Sequence, residues 1–296
     1  MPAKPPSKTE PHRLAVRKTY KLFIGGAFPR SESGRSYPVT DRQGGFVTNA
    51  PQASRKDLRD AVVAARKASP GWSAATAYNR GQILYRIAEM LEGRRAQFAE
   101  EVALAEGLSA QAADRQVTES IDRWVWYAGW SDKIASVLGA ANPVAGPYFN
   151  FSVPEPTGVV GIIAPQESSL LGLVSVLAPV VVSGNTAVVI ASTLRPLPAA
   201  TLAEALATSD LPGGVANILT GETAELAPWL ASHQDIDGID LTGSGELADN
   251  LEAAAAATVK RVVRPPAVEP DWRSTPDLLR LTHFLEIKTV WHPVGQ

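Results

Sequence analysis

Apolar positions in the first half of this 296-residue chain recur at the spacing of α-helices. Ser54 precedes the first such set and is a suitable N-cap, and Pro70-Gly71 is expected to end that helix. Four helices are predicted in this way, at residues 54–67, 77–91, 94–105 and 110–138. The fourth carries aromatic residues that we expect to pack in the core rather than to form a ligand cage: Trp124, Trp126, Tyr127 and Trp130. Residues 20–50 instead have the short apolar runs and the Gly25-Gly26 pair that are typical of strands and tight turns.

Short apolar runs and helical segments alternate in the second half of the chain. Strands are predicted at residues 158–163, 186–190, 216–219, 238–241 and 260–263, and helices at 168–182, 197–208, 222–232 and 245–258. Strands that alternate with helices through tight linkers form a parallel sheet, and right-handed crossovers cover both of its faces. The predicted fold class is therefore α/β, with a doubly wound parallel sheet.

Two further segments differ from both patterns. Residues 139–157 contain four prolines among alternating aromatic and polar positions, which is typical of an extended arm. After Val263, Arg264-Pro265-Pro266 cannot continue a central strand, and only a helical turn or two is expected at 277–283. Residues 284–291 alternate like a strand that has no neighbour in sequence. We expect this strand to pair with the arm or with another subunit.

Composition and charge exclude several classes of function. The chain is 45% hydrophobic and 20% charged with a formal net charge of -2, an ordinary soluble profile that gives no support for a nucleic-acid partner. No apolar run approaches the length of a membrane span and the N-terminus lacks an apolar signal core, so no membrane association and a cytoplasmic location are expected. Residues 1–19 are predicted to be a disordered tail. With no cysteine and four dispersed histidines, no metal site is expected.

Several short motifs, in order along the chain, carry a resemblance to a known family. They are Pro156–Pro165, Ser183–Thr186, Leu211–Asn217 and Leu241–Ser244. Together they resemble successive strand entries and the nucleotide-site turn of aldehyde dehydrogenases. Leu22–Gly26 and the helices after Ser54 fit the N-terminal part of that family, and residues 286–291 resemble its closing oligomerisation strand. The resemblance covers residues 20–263 and implies a Rossmann-like coenzyme domain with an N-terminal helical part and a β oligomerisation arm.

The resemblance implies a truncated, degenerate member that lacks the catalytic domain. The family places that whole domain between Val263 and His283, where this chain has only residues 264–282. Among aldehyde dehydrogenases, the chain is most similar to the second module of the two-module members. The implied organisation is a tail (1–19), a helical part (20–138), an oligomerisation arm (139–157), a Rossmann-like part (158–263), a linker in place of the catalytic domain (264–283) and an oligomerisation strand (284–296).

The residues that the family uses for catalysis are replaced in this chain. The position of the family's oxyanion-binding Asn is Glu167, and an ionised carboxylate cannot donate a hydrogen bond to an oxyanion and would repel it. The general-base Glu and the Gly-Gly that follows it are absent from the matching stretch, residues 263–266. No cysteine supplies the attacking thiolate. The resemblance therefore implies no catalytic residues.

The nucleotide contacts of the family are also eroded. The positions of its ribose-binding Lys and Glu are Ala191 and Leu194, and each lost charged hydrogen bond is worth about 1.5–3 kcal/mol. Arg195 is predicted to be a solvated surface side chain, with a phosphate contact as the alternative. Five residues are predicted to form what remains of the nucleotide site, with weak binding at most: Ala164, Pro165, Thr242, Gly243 and Ser244. Ser244 is predicted to be a helix N-cap, and pyrophosphate binding at this helix start is the alternative. No cofactor is expected beyond weak residual NAD(P) binding.

These replacements predict an aldehyde dehydrogenase-like pseudoenzyme that serves as a structural or regulatory subunit. Through residues 139–157 and 284–296 it is expected to pair with a full-length aldehyde dehydrogenase subunit or with itself. Two alternatives stay open. The chain could be an NAD(P)-binding sensor module, or an NAD(P)-dependent aldehyde oxidoreductase that works only with a partner's active site.

Overall fold

A computed structural model describes residues 18–268 and 270–295 of the chain. The disordered tail is predicted at residues 1–19. Its first 17 residues lie outside the described residues, which begin at Lys18. Within the described ranges, no helix is both long and apolar enough to cross a membrane.

A β-hairpin and five helices form the N-terminal part. Strands β1 (Ser36–Thr40) and β2 (Phe46–Pro51) pair antiparallel. They are followed by helices α1 (Arg55–Ala74), α2 (Ala77–Glu92), α3 (Arg95–Glu106), α4 (Ala110–Ala128) and α5 (Ile134–Leu138). Ser54 begins α1 as predicted, because its hydroxyl accepts hydrogen bonds from the N–H groups of Lys56 and Asp57 while the Asp57 carboxylate accepts from the N–H of Ser54.

The predicted end of the first helix at Pro70-Gly71 is wrong. Helix α1 continues through Pro70 to Ala74. Trp72 explains the difference, because its indole is buried and its Nε1 donates a hydrogen bond to the carbonyl of Val181, 2.9 Å away. Burial of this large side chain offsets the hydrogen bond that proline cannot donate within the helix.

The single helix predicted at 110–138 is also wrong, since the chain breaks it into α4 and α5. Gly129 ends α4, and a turn through Lys133 leads into α5. The prediction that the aromatic residues of this region pack inside is confirmed. Trp124 and Tyr127 are fully buried, and Trp126 and Trp130 pack against the same core.

Five parallel strands form the central sheet, as predicted. They are β5 (Val159–Ile163), β6 (Thr186–Ile190), β7 (Ala216–Leu219), β8 (Gly238–Asp240) and β9 (Arg261–Val263), in the order β7-β6-β5-β8-β9. The helices between them are α6 (Leu171–Val182), α7 (Leu197–Ala207), α8 (Thr223–Ser232) and α9 (Ala248–Ala256), with a 3-10 turn at Gly245–Leu247 before α9. The doubly wound α/β fold is therefore confirmed.

Each face of this sheet has its own hydrophobic core. Helices α2, α3, α4, α6 and α7 cover one face, and α1, α8 and α9 cover the other. Every residue of α6 is buried, so this helix is enclosed between the sheet and the N-terminal helices. The winding reverses between β5 and β8, and the crevice outside the carboxyl ends of these two strands is where doubly wound folds bind ligands.

A separate antiparallel sheet, called here the arm sheet, contains β3 (Ala140–Asn142), β4 (Tyr148–Pro156) and β10 (Leu285–Pro293). Strand β10 pairs with β4 along its whole length, from Leu285 opposite Pro156 to Pro293 opposite Tyr148. The last strand was predicted to pair either with the arm or with another subunit. The structure shows it paired with the arm of the same chain. Strand β10 lies at the edge of this sheet.

The segment between β9 and β10 packs onto the core of the protein. It contains one short helix, α10 (Leu279–Thr282), in the region where a helical turn is predicted. Trp272, Leu281 and Phe284 are buried in the same core as α4 and α6. The guanidinium of Arg123 on α4 donates hydrogen bonds to the carbonyls of Trp272 (2.6 Å) and Ser274 (2.9 Å). We call the described residues 264–268 and 270–284 the docked linker.

Candidate functional site

The five positions of the predicted nucleotide site lie at the crevice between β5 and β8. Ala164 and Pro165 follow β5, and Thr242, Gly243 and Ser244 follow β8. The N–H of Gly243 donates a hydrogen bond to the carbonyl of Ile163, 2.9 Å away. A Cβ atom on Gly243 would overlap the carbonyl oxygen of Ala164, so the two strand ends approach this closely only with glycine at that position.

Backbone N–H groups in the turn after β8 are already engaged within the protein. Thr242 donates to the carboxylate of Asp240 (2.8 Å), Gly243 to Ile163, and Ser244 to the carbonyl of Leu241 (2.9 Å). These three groups therefore cannot receive a pyrophosphate without first breaking an internal hydrogen bond.

Ser244 occupies the N-cap position but does not cap the helix with its side chain. Its hydroxyl is buried and has no hydrogen-bond partner within the described residues. The helix begins with a 3-10 turn in which Leu247 donates to the carbonyl of Ser244 (3.1 Å), so the hydrogen bond expected from an α-helical N-cap is not formed. The predicted side-chain cap is wrong, and the buried hydroxyl has no partner among the described residues.

Glu167 and Arg195 form an ion pair beside this crevice. The Arg195 guanidinium donates hydrogen bonds to both the carboxylate and the backbone carbonyl of Glu167. A second guanidinium, that of Arg42, lies 3.7 Å from the same carboxylate. A carboxylate held in this way accepts hydrogen bonds, so Glu167 has the opposite polarity to the amide donor that an oxyanion requires.

The prediction that Arg195 is a solvated surface residue is wrong, since its side chain is only 5% exposed. It lies between β6 and α7, where its N–H donates to the hydroxyl of Ser192 (3.2 Å). The sequence did contain a signal for this pair. Opposite charges follow two adjacent parallel strands, β5 and β6, whose carboxyl ends meet at the same edge of the sheet.

Two residues that the sequence did not indicate hold the loop after β5. Gln166 donates to the carbonyl of Ala164 (2.8 Å), and its side-chain oxygen accepts from the N–H of Thr193 (3.1 Å). The carboxylate of Glu106, at the end of α3, accepts from both the N–H and the hydroxyl of Ser169, each at 2.7 Å. Glu106 is distant in sequence and shows no pattern that could have predicted this contact.

The two positions predicted to correspond to the family's ribose contacts carry apolar side chains. Ala191 is buried at the end of β6, and the side chain of Leu194 is 67% exposed. The crevice thus provides one unpaired hydroxyl, from Ser244, but no cation or carboxylate at these two positions. This set of donors and acceptors does not fit a tightly held dinucleotide.

The docked linker reaches the same end of the sheet through Arg280. Its guanidinium lies 3.6 Å from the buried carboxylate of Asp240 and 5.1 Å from the centre of the Trp272 ring. Burial lowers the pKa of the neighbouring His283 below its ordinary value, although the charge of Asp240 acts in the opposite direction. In the ranges that the structure describes, no group of three His, Cys, Asp or Glu side chains could hold a metal ion.

Comparison with protein families identifies this arrangement. The model of the aldehyde dehydrogenase family matches residues 28–264. The chain belongs to the aldehyde dehydrogenase family. The match ends at the start of the docked linker, where Pro265 and Pro266 follow β9.

Individual aldehyde dehydrogenase relatives are longer than this chain. It is 34% identical over 263 residues to cytosolic 10-formyltetrahydrofolate dehydrogenase of Mus musculus, with 84% of this chain and 28% of that protein covered. It is 38% identical over 257 residues to retinal dehydrogenase 2 of Homo sapiens, with 84% and 48% covered. An NAD+ complex structure of aldehyde dehydrogenase from Bacillus cereus superposes with a TM-score of 0.78 at 27% identity, with 83% and 50% covered. The chain thus spans about half or less of the length of these relatives.

Proposed function

We propose that this aldehyde dehydrogenase family member is a non-catalytic subunit that acts by associating, through its arm sheet, with a full-length aldehyde dehydrogenase. The observation that carries the proposal is the direct connection from β9 to β10. In the segment between β9 and β10, Trp272, Leu281 and Phe284 are buried in the core that contains α4 and α6, and Phe284 leads into β10. The chain therefore combines the matched part of the family with an arm sheet, and has only a short docked segment between them.

The chemistry of the chain supports a non-catalytic role. Covalent aldehyde oxidation needs a nucleophile whose adduct can release hydride to the nicotinamide, and the chain has no cysteine. At the oxyanion position, Glu167 is paired with Arg195 and does not donate. Loss of a single oxyanion donor costs about 2.7–4 kcal/mol of transition-state stabilisation, before the missing nucleophile is considered.

The arm sheet supports a role in association. It exposes large apolar side chains on and beside its two long strands, namely Tyr148, Phe149, Ile287, Trp291 and Val294. Among the described residues, β10 has a neighbouring strand on one side only. Exposed apolar surface beside an open strand edge is typical of a surface that adds a strand from a partner.

Co-purification tests this proposal. The tagged chain is co-expressed with full-length aldehyde dehydrogenases of its own organism, and we expect one of them to co-elute in a stoichiometric complex. A Trp291→Glu variant should lose the complex, whereas Val63→Glu, which places the same charge at an exposed position on α1, should retain it. A chain that elutes alone with every full-length enzyme would contradict the proposal.

A second candidate function, an NAD(P)-binding sensor, is favoured by the unpaired hydroxyl of Ser244 at the crevice. Titration calorimetry with NAD and with NADP at millimolar concentration tests it. Binding that is weakened by Ser244→Ala would support the sensor, and the absence of heat with both nucleotides would rule it out.

A further inference from the structure

A cavity of about 650 Å³ lies between the start of α1 and the end of α8, and we call it the α1–α8 cavity. Arg55, Lys56 and Arg59 line it from α1, and Trp229 lines it from α8. None of its described lining residues belongs to the arm sheet or to the five crevice positions. Its volume lies within the range of about 300–1,000 Å³ that is usual for small-molecule sites, so it is large enough for a ligand of one or two rings.

The guanidinium of Arg55 lies over the indole ring of Trp229. Its central carbon is 3.7 Å from the ring centroid, a distance at which the two flat groups stack. A stacked guanidinium keeps its N–H groups in its own plane, where two of them can donate to both oxygens of one carboxylate. Stacking also orders the side chain before a ligand arrives, which lowers the entropy cost of binding.

Neighbouring acidic side chains do not neutralise Arg55. The Glu32 carboxylate lies 3.6 Å from the ammonium of Lys56, and the Asp60 carboxylate lies 3.2 Å from the guanidinium of Arg59. Among the residues that the structure describes, no carboxylate forms an ion pair with Arg55. Because Arg55 is also exposed, its N–H groups are accessible to an anion from outside the chain.

The charges around the cavity favour one negative charge in the ligand. Three cations and two carboxylates line it: Arg55, Lys56, Arg59, Glu32 and Asp235. Burial lowers the pKa of His233, another lining residue, below its ordinary value, so its ring adds no charge near neutral pH. One excess positive charge balances a carboxylate, whereas a phosphate, with a charge of about −1.5 to −2, is left partly unbalanced.

The apolar lining of the cavity suits an aromatic group next to that carboxylate. Trp229 is 41% exposed although Arg55 covers part of its ring. Leu58 lines the same cavity and is almost fully buried. A flat ligand that lies against the indole removes exposed apolar surface from water, and two aromatic rings gain further from offset or edge-to-face contact. A carboxylate without a ring leaves this surface exposed.

We propose that the α1–α8 cavity is a binding site for a small aromatic carboxylate. The carboxylate of the ligand accepts two hydrogen bonds from the Arg55 guanidinium, and its ring packs against Trp229. This site goes beyond the proposed association through the arm sheet and does not depend on it, because the two surfaces share no described residue.

Titration calorimetry with 2-naphthoate tests the site. We expect one 2-naphthoate to bind per chain with a dissociation constant of about 1 mM or less, the affinity that ligands of this size reach at ordinary efficiency. Acetate lacks the ring and 2-naphthol lacks the carboxylate, so each should bind at least about tenfold more weakly. 2-Naphthyl phosphate distinguishes the kind of anion, and tighter binding of this phosphate than of 2-naphthoate would contradict the carboxylate assignment. No binding of 2-naphthoate at about 10 mM would overturn the site.

Two variants locate the ligand. Arg55→Gln removes the charge and keeps a polar side chain, and should raise the dissociation constant about tenfold or more. Trp229→Leu removes the aromatic surface and should raise it about threefold or more. Arg115→Gln is the control, because it removes the same charge from an exposed position on α4 outside the cavity and should leave binding unchanged.

Urea unfolding of each variant should give the stability of the parent chain, since Arg55, Trp229 and Arg115 are all exposed. Binding that persists unchanged in both Arg55→Gln and Trp229→Leu, or that is lost equally in Arg115→Gln, would overturn the proposal. Association through the arm sheet is measured separately by co-purification. Loss of either result therefore leaves the other standing.

Discussion

The buried guanidinium of Arg195 holds the carboxylate of Glu167, the residue that the sequence predicts to stand in place of the family's oxyanion-binding amide. The pair joins the loop after β5 to the segment between β6 and α7. An ionised carboxylate held in this contact accepts hydrogen bonds and donates none. The pair therefore affects both the stability of the loop and the hydrogen bonds that this position can make.

Glu167→Asn restores the family's residue type, and we still expect no aldehyde oxidation. The chain has no thiol to form the covalent adduct from which hydride could leave. The measurement is absorbance of the reduced nicotinamide after the purified chain, or this variant, is mixed with short aldehydes and NAD or NADP. Turnover by either protein alone would contradict the non-catalytic role and favour an unrecognised nucleophile.

Glu167→Ala should lower the free energy of unfolding by about 1–3 kcal/mol, because it leaves the buried guanidinium of Arg195 without its carboxylate. Glu89→Ala is the control, since Glu89 is exposed and its carboxylate lies 4.0 Å from Arg86 on the same helix. That variant should change stability by less than about 0.5 kcal/mol. Urea unfolding followed by circular dichroism measures both, and equal values would show that the Glu167–Arg195 pair contributes nothing.

Trp272→Ala should lower the free energy of unfolding by about 3 kcal/mol if the docked linker is an integral part of the core. Val268→Ala, at a highly exposed position on the same linker, should have almost no effect. Thermal unfolding of the two variants makes the comparison. If both have the stability of the parent chain, the linker does not contribute to the core.

Gly243→Ala should destabilise the crevice, because the added Cβ would overlap the carbonyl oxygen of Ala164 at the junction of β5 and β8. We expect a loss of about 3 kcal/mol, since both contacting groups belong to the backbone and neither can rotate away. Gly71→Ala adds the same methyl group to α1 in open space and should be neutral or slightly stabilising. Chemical denaturation distinguishes the two, and a fully stable Gly243→Ala would show that the strand ends can separate freely.

Stability should fall as the pH is lowered through the range where histidine titrates. Burial lowers the folded-state pKa of His283 below its ordinary value of 6.5, so the unfolded chain binds a proton more readily. The contribution of a neutral His283 is therefore fully present above that value, and is lost as the pH falls towards the folded-state pKa. His283→Gln should flatten the dependence of unfolding free energy on pH between about pH 7 and pH 5. An unchanged slope would exclude His283 as its source.

Local sequence patterns predicted most helices and strands correctly. They did not predict features that depend on contacts between residues distant in sequence. The boundaries of β6 and β7 agree with the prediction because a buried parallel strand is a short apolar run between turn residues. Helix α1 passes Pro70 because Trp72 is buried against Val181, a contact that no local pattern contains. For the same reason Arg195, which appears solvent-exposed from its neighbours in sequence, is buried once β5 and β6 are side by side.

By itself the sequence determined the α/β class, the order of the five parallel strands along the chain and the absence of a thiol, because these depend on composition and on periodicity within short segments. Only the tertiary structure decided that β10 pairs with β4, that Trp272 and Leu281 of the docked linker are buried in the core that contains α4 and α6, and that Glu167 binds Arg195. Each of these contacts joins residues far apart in sequence. These contacts are selected by the packing of whole helices and strands and by the need of buried polar groups for hydrogen-bond partners. A short segment of sequence contains no information about either.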